Sequence, residues 1–225
     1  VLLERDAEPR IKPCGGGMAA SVQKWFPFSL EPAVEQVVRQ VDFSWCLGDP
    51  VVAELPGEAP FWIVRRERLD QLLTDQAKQA GAECCAGVTV TDIGRDNDHW
   101  SVTAADGQRW RTRSVVIADG SASPWPQRLG LGAKRVQTAT TMSVRLEGQG
   151  RLKNGTTRFE FGLVKQGFAW AFPVAGGVNI GVGSFIGKQD ADPEQVLSLL
   201  LPDLGFPADA GLRQSGQLRV WNGHH

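Results

Sequence analysis

Between Lys12 and Met18 the chain reads KPCGGGM, a thiol followed by three glycines. Consecutive glycines adopt backbone conformations, and allow close approaches, that any Cβ would forbid. A flat ring could lie against Gly15, Gly16 and Gly17 with Cys14 beside it; the competing reading is a flexible surface loop. Upstream, VLLERD (Val1–Asp6) reads as a buried strand ending in charge. In a dinucleotide-binding βαβ unit the second strand ends in an acidic residue that holds the ribose hydroxyls, about 20 residues after a glycine fingerprint. Glu4 suits that position, with Arg5 near the phosphates, although many buried strands end in a charge. The fingerprint itself is missing. Gly181, Gly183 and Gly187 follow a strand, but polar KQDAD stands where a helix must open.

Three further stretches carry chemistry. RRERLD places Arg66 at a helix start, where a cation is disfavoured by the helix dipole unless it faces a phosphate drawn to the same terminus. The alternative is a solvated arginine. IADGSAS puts Asp119 and Gly120 directly after a short buried strand, where ligands sit in open α/β sheets, or where the chain simply turns. GFAWAFP sets Phe168, Trp170 and Phe172 on one face of a strand, either as ordinary sheet core or as the wall of an apolar chamber for a long hydrocarbon.

The elements that must position these residues follow from pattern. Residues 1–5 read as a strand and 6–24 as a Gly-rich loop with a short helix after Met18. Residues 25–60 show no clean period and are expected to be irregular with short strands. Leu69, Leu72, Leu73, Ala77 and Ala80 predict a helix from Glu67 to Ala80, stopped by Gly81. AECCAGVTVTDI alternates as one strand, and Asp106-Gly107 marks a hairpin between Trp100–Ala104 and Arg109–Arg113. SVVIADG predicts a short buried strand. From Thr138 onward four strands separated by turns predict an antiparallel sheet, followed by a helix near Pro193–Leu201.

A length of 225 residues allows one large domain or two small ones, and a net charge of -1 argues against a nucleic-acid or anionic-membrane surface. Arg109, Arg111 and Arg113 alternate and read as one solvated strand face. Cys14, Cys46, Cys84 and Cys85 form no CxxC pair and have no His at ligand spacing, so neither a zinc site nor a disulfide framework is expected, which favours a reducing compartment. His224 and His225 read as tag residues, which leaves His99 little to pair with. No apolar run approaches the roughly 18 residues of a membrane helix.

Taken in order, a strand ending in Glu-Arg, KPCGGG, R-x-x-L-D, the G-x-x-V-x-x-I of Gly87, Val90 and Ile93, ADGSAS, and GFAWAFP followed by NIGVG resemble the geranylgeranyl reductase family. The resemblance spans nearly the whole chain and is most specific at KPCGGG and GFAWAFP. It implies the p-hydroxybenzoate hydroxylase fold: a mixed α/β chain with an FAD-binding, Rossmann-like domain and an antiparallel-sheet substrate domain. The expected division is 1–137 and 138–225, with 25–60 a candidate part of the substrate domain.

The resemblance further implies FAD, reduced by NADPH or another donor, and reduction of carbon–carbon double bonds in a prenyl chain. Glu4 would bind the ribose, Val90 would touch adenine through its backbone, and Arg66 would lie near the pyrophosphate or ribityl. Asp119 and Gly120 match a DG motif that supports flavin and pyridine-nucleotide binding, and Cys14 would sit close to the isoalloxazine ring. The family's aromatic motif usually begins with Tyr, where this chain has Phe168, and a Lys often follows its Phe-Pro pair, where this chain has Val174. Both departures bear on the substrate.

On this resemblance VLLERD is the second strand of a βαβ unit whose first strand, glycine loop and helix are not among these residues. A second FAD motif would lie beyond Val220. The expectation is an internal segment, or a divergent truncated member, inactive by itself. Cytoplasmic location with peripheral membrane association is expected, and nucleic acid is not expected as a partner. Two alternatives stand beside the reductase: a flavin-dependent aromatic monooxygenase of the same fold, and a non-catalytic remnant that binds a hydrophobic ligand or partner.

Overall fold

The computed structural model describes residues 1–131, 137–184 and 192–220. In chain order the strands begin with β1 (Leu2–Glu4), β2 (Gly17–Ala19), β3 (Val34–Val38), β4 (Gln40–Trp45), β5 (Gly48–Glu54) and β6 (Phe61–Val64), which leads to α1 (Arg66–Gln79). Next come β7 (Cys84–Ala86), β8 (Val90–Asp96), β9 (His99–Ala104), β10 (Arg109–Thr112) and the short α2 (Trp125–Arg128). The last group is β11 (Gln137–Glu147), β12 (Thr156–Phe161), β13 (Gly167–Val174), β14 (Gly177–Ser184), α3 (Pro193–Asp203) and β15 (Gln214–Val220). The described residues divide into two compact units: 1–10 with 70–131, and 11–69 with 137–184 and 192–220. Residues 25–60 fall in the second.

In the first unit β1 pairs in parallel with β7, Leu2 opposite Cys84 and Glu4 opposite Ala86. Strands β8, β9 and β10 form an antiparallel meander. Ile93, Val102 and Trp125 make its core, with Leu3, Val90, Trp100, Val115 and Ile117 packed around them. The helix expected from its apolar spacing is α1, and the Gly81 and Ala82 N–H groups close it on the carbonyls of Lys78 and Ala77. The hairpin expected at Asp106-Gly107 is the β9–β10 turn.

Two expectations are corrected here. AECCAGVTVTDI is not one strand: the chain breaks at Gly87, leaving β7 to pair with β1 and β8 with β9. SVVIADG is extended but joins no ladder among the described residues. Val115 and Ile117 turn into the core while Val116 is 89% exposed.

The second unit is built on a seven-stranded sheet in the order β15-β11-β14-β13-β12-β4-β5. Strand pairs from β11 to β14 are antiparallel as expected, but β12 runs parallel to β4, Thr156 opposite Gln40 and Phe161 opposite Trp45. The stretch expected to be irregular thus supplies β3, β4 and β5. Because side chains alternate along a strand, each sheet face has its own character. One face carries Ala169, Ala171, Val178, Ile180 and Val182, covered by Val196, Leu197, Leu200 and Leu201 of α3. Each such fully buried aliphatic side chain contributes roughly 1.5–3 kcal/mol relative to exposure. The opposite face carries Phe159, Phe168, Trp170 and Phe172, packed with Val38 of β3 and Ile63 of β6 from the three-stranded sheet β2-β6-β3.

The face under α3 also holds a charge. Glu160 is fully buried and accepts from Arg158 Nη2 at 2.7 Å, from the Leu47 amide at 2.8 Å and from the Ser44 hydroxyl. Arg158 donates further to Ser44 Oγ at 2.9 Å and Asp203 Oδ2 at 2.6 Å. Burial works against the charge on Arg158, but its bonds to Glu160 and Asp203 prevail and hold the guanidinium above its ordinary range.

Helix α3 starts on Asp192, whose carboxylate accepts the Glu194 amide at 3.0 Å, with Pro193 in the first turn. Asp192→Ala is expected to cost about 1 kcal/mol through the lost cap. A urea midpoint unchanged from wild type would show that the Leu-rich face alone sets the helix.

Candidate functional site

The residues singled out by sequence fall into two groups, one in each unit. Glu4, Arg5, Val90, Asp119 and Gly120 belong to the first unit; Cys14, Gly15, Gly16, Gly17, Arg66, Phe168, Trp170 and Phe172 belong to the second.

In the first unit, Glu4 ends β1, and its carboxylate accepts from Arg10 and from the Asp6 amide at 3.1 Å. Arg10 also donates to Asp70 at 3.1 Å, so it ties the end of β1 to α1. This bridge escaped the sequence reading, although Asp70 is the acid of the R-x-x-L-D pattern. Arg5 is exposed and pairs with Asp6. That bond raises its guanidinium above the ordinary range, and the charges of Glu4 and Asp119 add to the effect. Val90 opens β8 opposite Ala104, beside a bulge, and Gly120 turns with a φ of 90°.

In the second unit the glycine segment is not a free loop. Gly17 opens β2 opposite Ile63 of β6, and the Val64 amide donates to the Gly16 carbonyl at 2.9 Å. A Cβ on Gly15 would stand 2.8 Å from Trp170 Nε1 and 2.9 Å from the Phe172 ring, and one on Gly17 would stand 2.8 Å from Phe172 and Phe61. Both missing side chains would point into the aromatic face. Gly17 and Cys14 are exposed, Gly15 is half-buried and Gly16 is buried against Val64. The Gly16 amide donates to Cys14 Sγ at 3.4 Å, which fixes where the sulfur sits. Arg66 starts α1.

The three aromatics of β13 share one face, with unequal exposure. Trp170 and Phe172 are 7% and 6% exposed beneath the glycine segment, whereas Phe168 is only half-buried. From them an aromatic row crosses the sheet. Phe172 and Phe168 each lie 5.4 Å from Phe159 between ring centroids, Phe159 lies 5.9 Å from Phe43, and Phe43 lies 6.3 Å from Phe161. Beyond Phe43 the row opens to solvent at Trp45 and Val51, 61% and 63% exposed. Phe43, Phe159 and Phe161 were missed as candidates; their signal was the alternation in QVDFSW and TRFEF.

The fold is shared with solved structures of other proteins. It superposes on a geranylgeranyl bacteriochlorophyll reductase-like protein of Thermoplasma acidophilum with a TM-score of 0.80 at 17% identity, over 96% of this chain and 59% of that one. A halogenase crystallised with phloroglucinol and FAD matches at a TM-score of 0.67 and 14% identity, over 97% and 54%.

In sequence the chain resembles the FAD-dependent geranylgeranyl reductase-like proteins and their quinone-linked kin. It is 29% identical to menaquinone reductase of Mycobacterium tuberculosis over 193 residues, 78% of this chain and 47% of that protein. Digeranylgeranylglycerophospholipid reductase of Methanococcus vannielii matches at 24% over 141 residues, 60% of this chain and 36% of that protein. The chain thus spans about half the length of the curated relatives it matches. No protein-family profile matches it.

Proposed function

We propose that this chain is part of an FAD-dependent oxidoreductase that reduces double bonds of a prenyl-type chain. The observation that carries the reading is the bare-backbone surface of Gly15–Gly17 with the Cys14 thiol at its edge, set beside an aromatic sheet face. Relatives named for menaquinone and for a digeranylgeranyl glycerophospholipid support an apolar, chain-bearing substrate. FAD, when bound, supplies a two-electron carrier that NADPH or another donor recharges.

The chain's own residues hold and orient. Glu4, kept in place by Arg10, with Arg5, Asp119, Gly120 and the Val90 backbone, would take the polar adenosine end. Arg66 would take phosphate. The glycine surface would seat the ring, and the half-buried Phe168 with Phe159, Phe161 and Phe43 would line the hydrocarbon, backed by Trp170 and Phe172. Apolar walls would exclude water, and the exposed Cys14 thiol would be the exchangeable proton source of the site. No Tyr exists in the chain to serve instead. With no glycine fingerprint among its residues, the chain by itself is expected to hold FAD weakly and to be inactive.

The test uses the whole protein of which this chain is a part: FAD titration followed by flavin fluorescence, then anaerobic mixing of the reduced, loaded protein with a polyprenyl quinone. Hydrogen gained by the side chain, read by mass spectrometry, supports the proposal. Oxygen uptake with a hydroxylated aromatic product would replace it with the monooxygenase reading. In the loaded protein, Cys14→Ser is expected to lower side-chain reduction roughly a hundredfold with folding retained. An unchanged rate and product pattern would remove Cys14 from the chemistry.

A further inference from the structure

Trp170 occupies an unusual place on the aromatic face. Opposite it on β14 stands Gly181, where a Cβ would fall 2.2 Å from the indole ring, so the ring lies flat across β14 only because no side chain is there. On its other side Gly15 reaches the pyrrole edge: a Cβ at residue 15 would stand 2.8 Å from Nε1. The indole is thus held between two glycines, one in the sheet and one in the KPCGGG segment. Its N–H donates to Asn179 Oδ1 at 2.9 Å, and both residues are 7% exposed. Asn179 is the one buried amide side chain among the described residues, and its neighbours on the same face of β14 are Gly181 and Gly183. A leucine here would leave the buried indole N–H without an acceptor, so the amide is matched to one orientation of Trp170.

We propose that Asn179 is a positioning residue: it fixes the orientation of Trp170, and Trp170 sets the height and register of the Gly15–Gly17 segment and hence of Cys14. An indole can lie across β14 in either of two flipped orientations. Only one brings Nε1–H to Asn179, and that orientation presents the narrow pyrrole edge to Gly15. With the acceptor gone, the ring is free to rock or flip, and the wider benzo edge would lift the glycine segment off the sheet. Any side chain at residue 15 would collide with the same ring edge. The pair therefore adjusts the surface that the proposed flavin ring lies on, without touching substrate. The function of this positioning rests on the reading of that surface given above; the positioning itself does not.

The experiment uses Asn179→Leu. Amide hydrogen exchange in the peptide covering residues 12–19, and alkylation of Cys14 by iodoacetamide, are each expected to accelerate roughly fivefold to tenfold, the effect of one lost hydrogen bond on a local opening. Exchange in α3, on the other side of the sheet, is expected to stay at the wild-type rate. In the FAD-loaded protein kcat should fall while KM for the polyprenyl quinone holds. Unchanged exchange and alkylation in a folded Asn179→Leu protein would overturn the proposal.

If the unpaired indole N–H prevents folding, Trp170→Phe/Asn179→Leu leaves no polar group unsatisfied and is expected to fold with the same loosened segment. A wild-type glycine segment in that double variant would overturn the proposal equally. Failure of the flavin reading looks different: Cys14→Ser would leave turnover untouched while Asn179→Leu still loosens residues 12–19.

Discussion

Replacing Arg158 by methionine is expected to destabilise the protein by about 3–5 kcal/mol, since it strands a buried carboxylate. Glu160 is 0% exposed and takes its guanidinium partner at 2.7 Å. Without it, two remaining donors, the Ser44 hydroxyl and the Leu47 amide, must face an uncompensated charge. The melting temperature should drop by roughly 6–20 °C, at about 2–4 °C per kcal/mol for a chain of this size. Replacing Glu160 as well, by leucine, should recover part of the loss because no charge is left buried, although the Leu47 amide then lacks its acceptor. A fall of less than about 1 kcal/mol in the single variant would match an exposed pair and contradict the burial seen here.

The second large effect is expected at Gly16. Its φ is +81°, and a Cβ there would stand 2.3 Å from the Val64 carbonyl oxygen, which is backbone and cannot swing aside. Gly16→Ala combines about 1–2 kcal/mol for a left-handed L-residue with about 1–3 kcal/mol of overpacking, or roughly 2–5 kcal/mol together. Gly17→Ala offers a control, because its Cβ would meet the Phe172 and Phe61 rings, which can shift by rotation. Its cost should be smaller, about 1–3 kcal/mol. Urea midpoints order the two variants. If Gly17→Ala proves the more damaging, the aromatic rings are the rigid partner and the strand is not.

Elements with a strong local rhythm could be read from the chain alone. Helix α1 and the strands from β12 to β14 follow from apolar spacing and turn residues, because these strands' neighbours in sequence are their neighbours in space. Strand β4 obeys the same alternation, Val41, Phe43 and Trp45 against Gln40, Asp42 and Ser44, but Pro50 and the adjacent Val51 and Val52 blur the period around it. Its parallel pairing with β12 could not be read at all, since nothing local encodes a partner 116 residues away. Val115–Ile117 erred in the other direction: an apolar run announces burial, yet a ladder requires a partner strand.

The same division holds for the candidate site. KPCGGG and GFAWAFP stood out because glycine runs and aromatic alternation are uncommon. That the first rests on the second was hidden, as was Arg10 between Glu4 and Asp70, because these are meetings of side chains across loops. Asn179 gave no signal beyond being a polar residue in an apolar strand.

The parallel pairing of β4 with β12 also has a kinetic meaning. At a synthesis rate of about 5–20 residues per second, a span of 116 residues takes roughly 6–23 s to emerge. For that interval the newborn β4–β5 hairpin can close locally, but its Phe43, Trp45 and Val51 side chains have no sheet to lie on. Docking must also await closure of a long loop, which slows pairing between distant strands. The ribosome-bound chain therefore carries a sticky aromatic hairpin well before β12 arrives to shelter Phe43, and this is the interval in which a chaperone has most to shield.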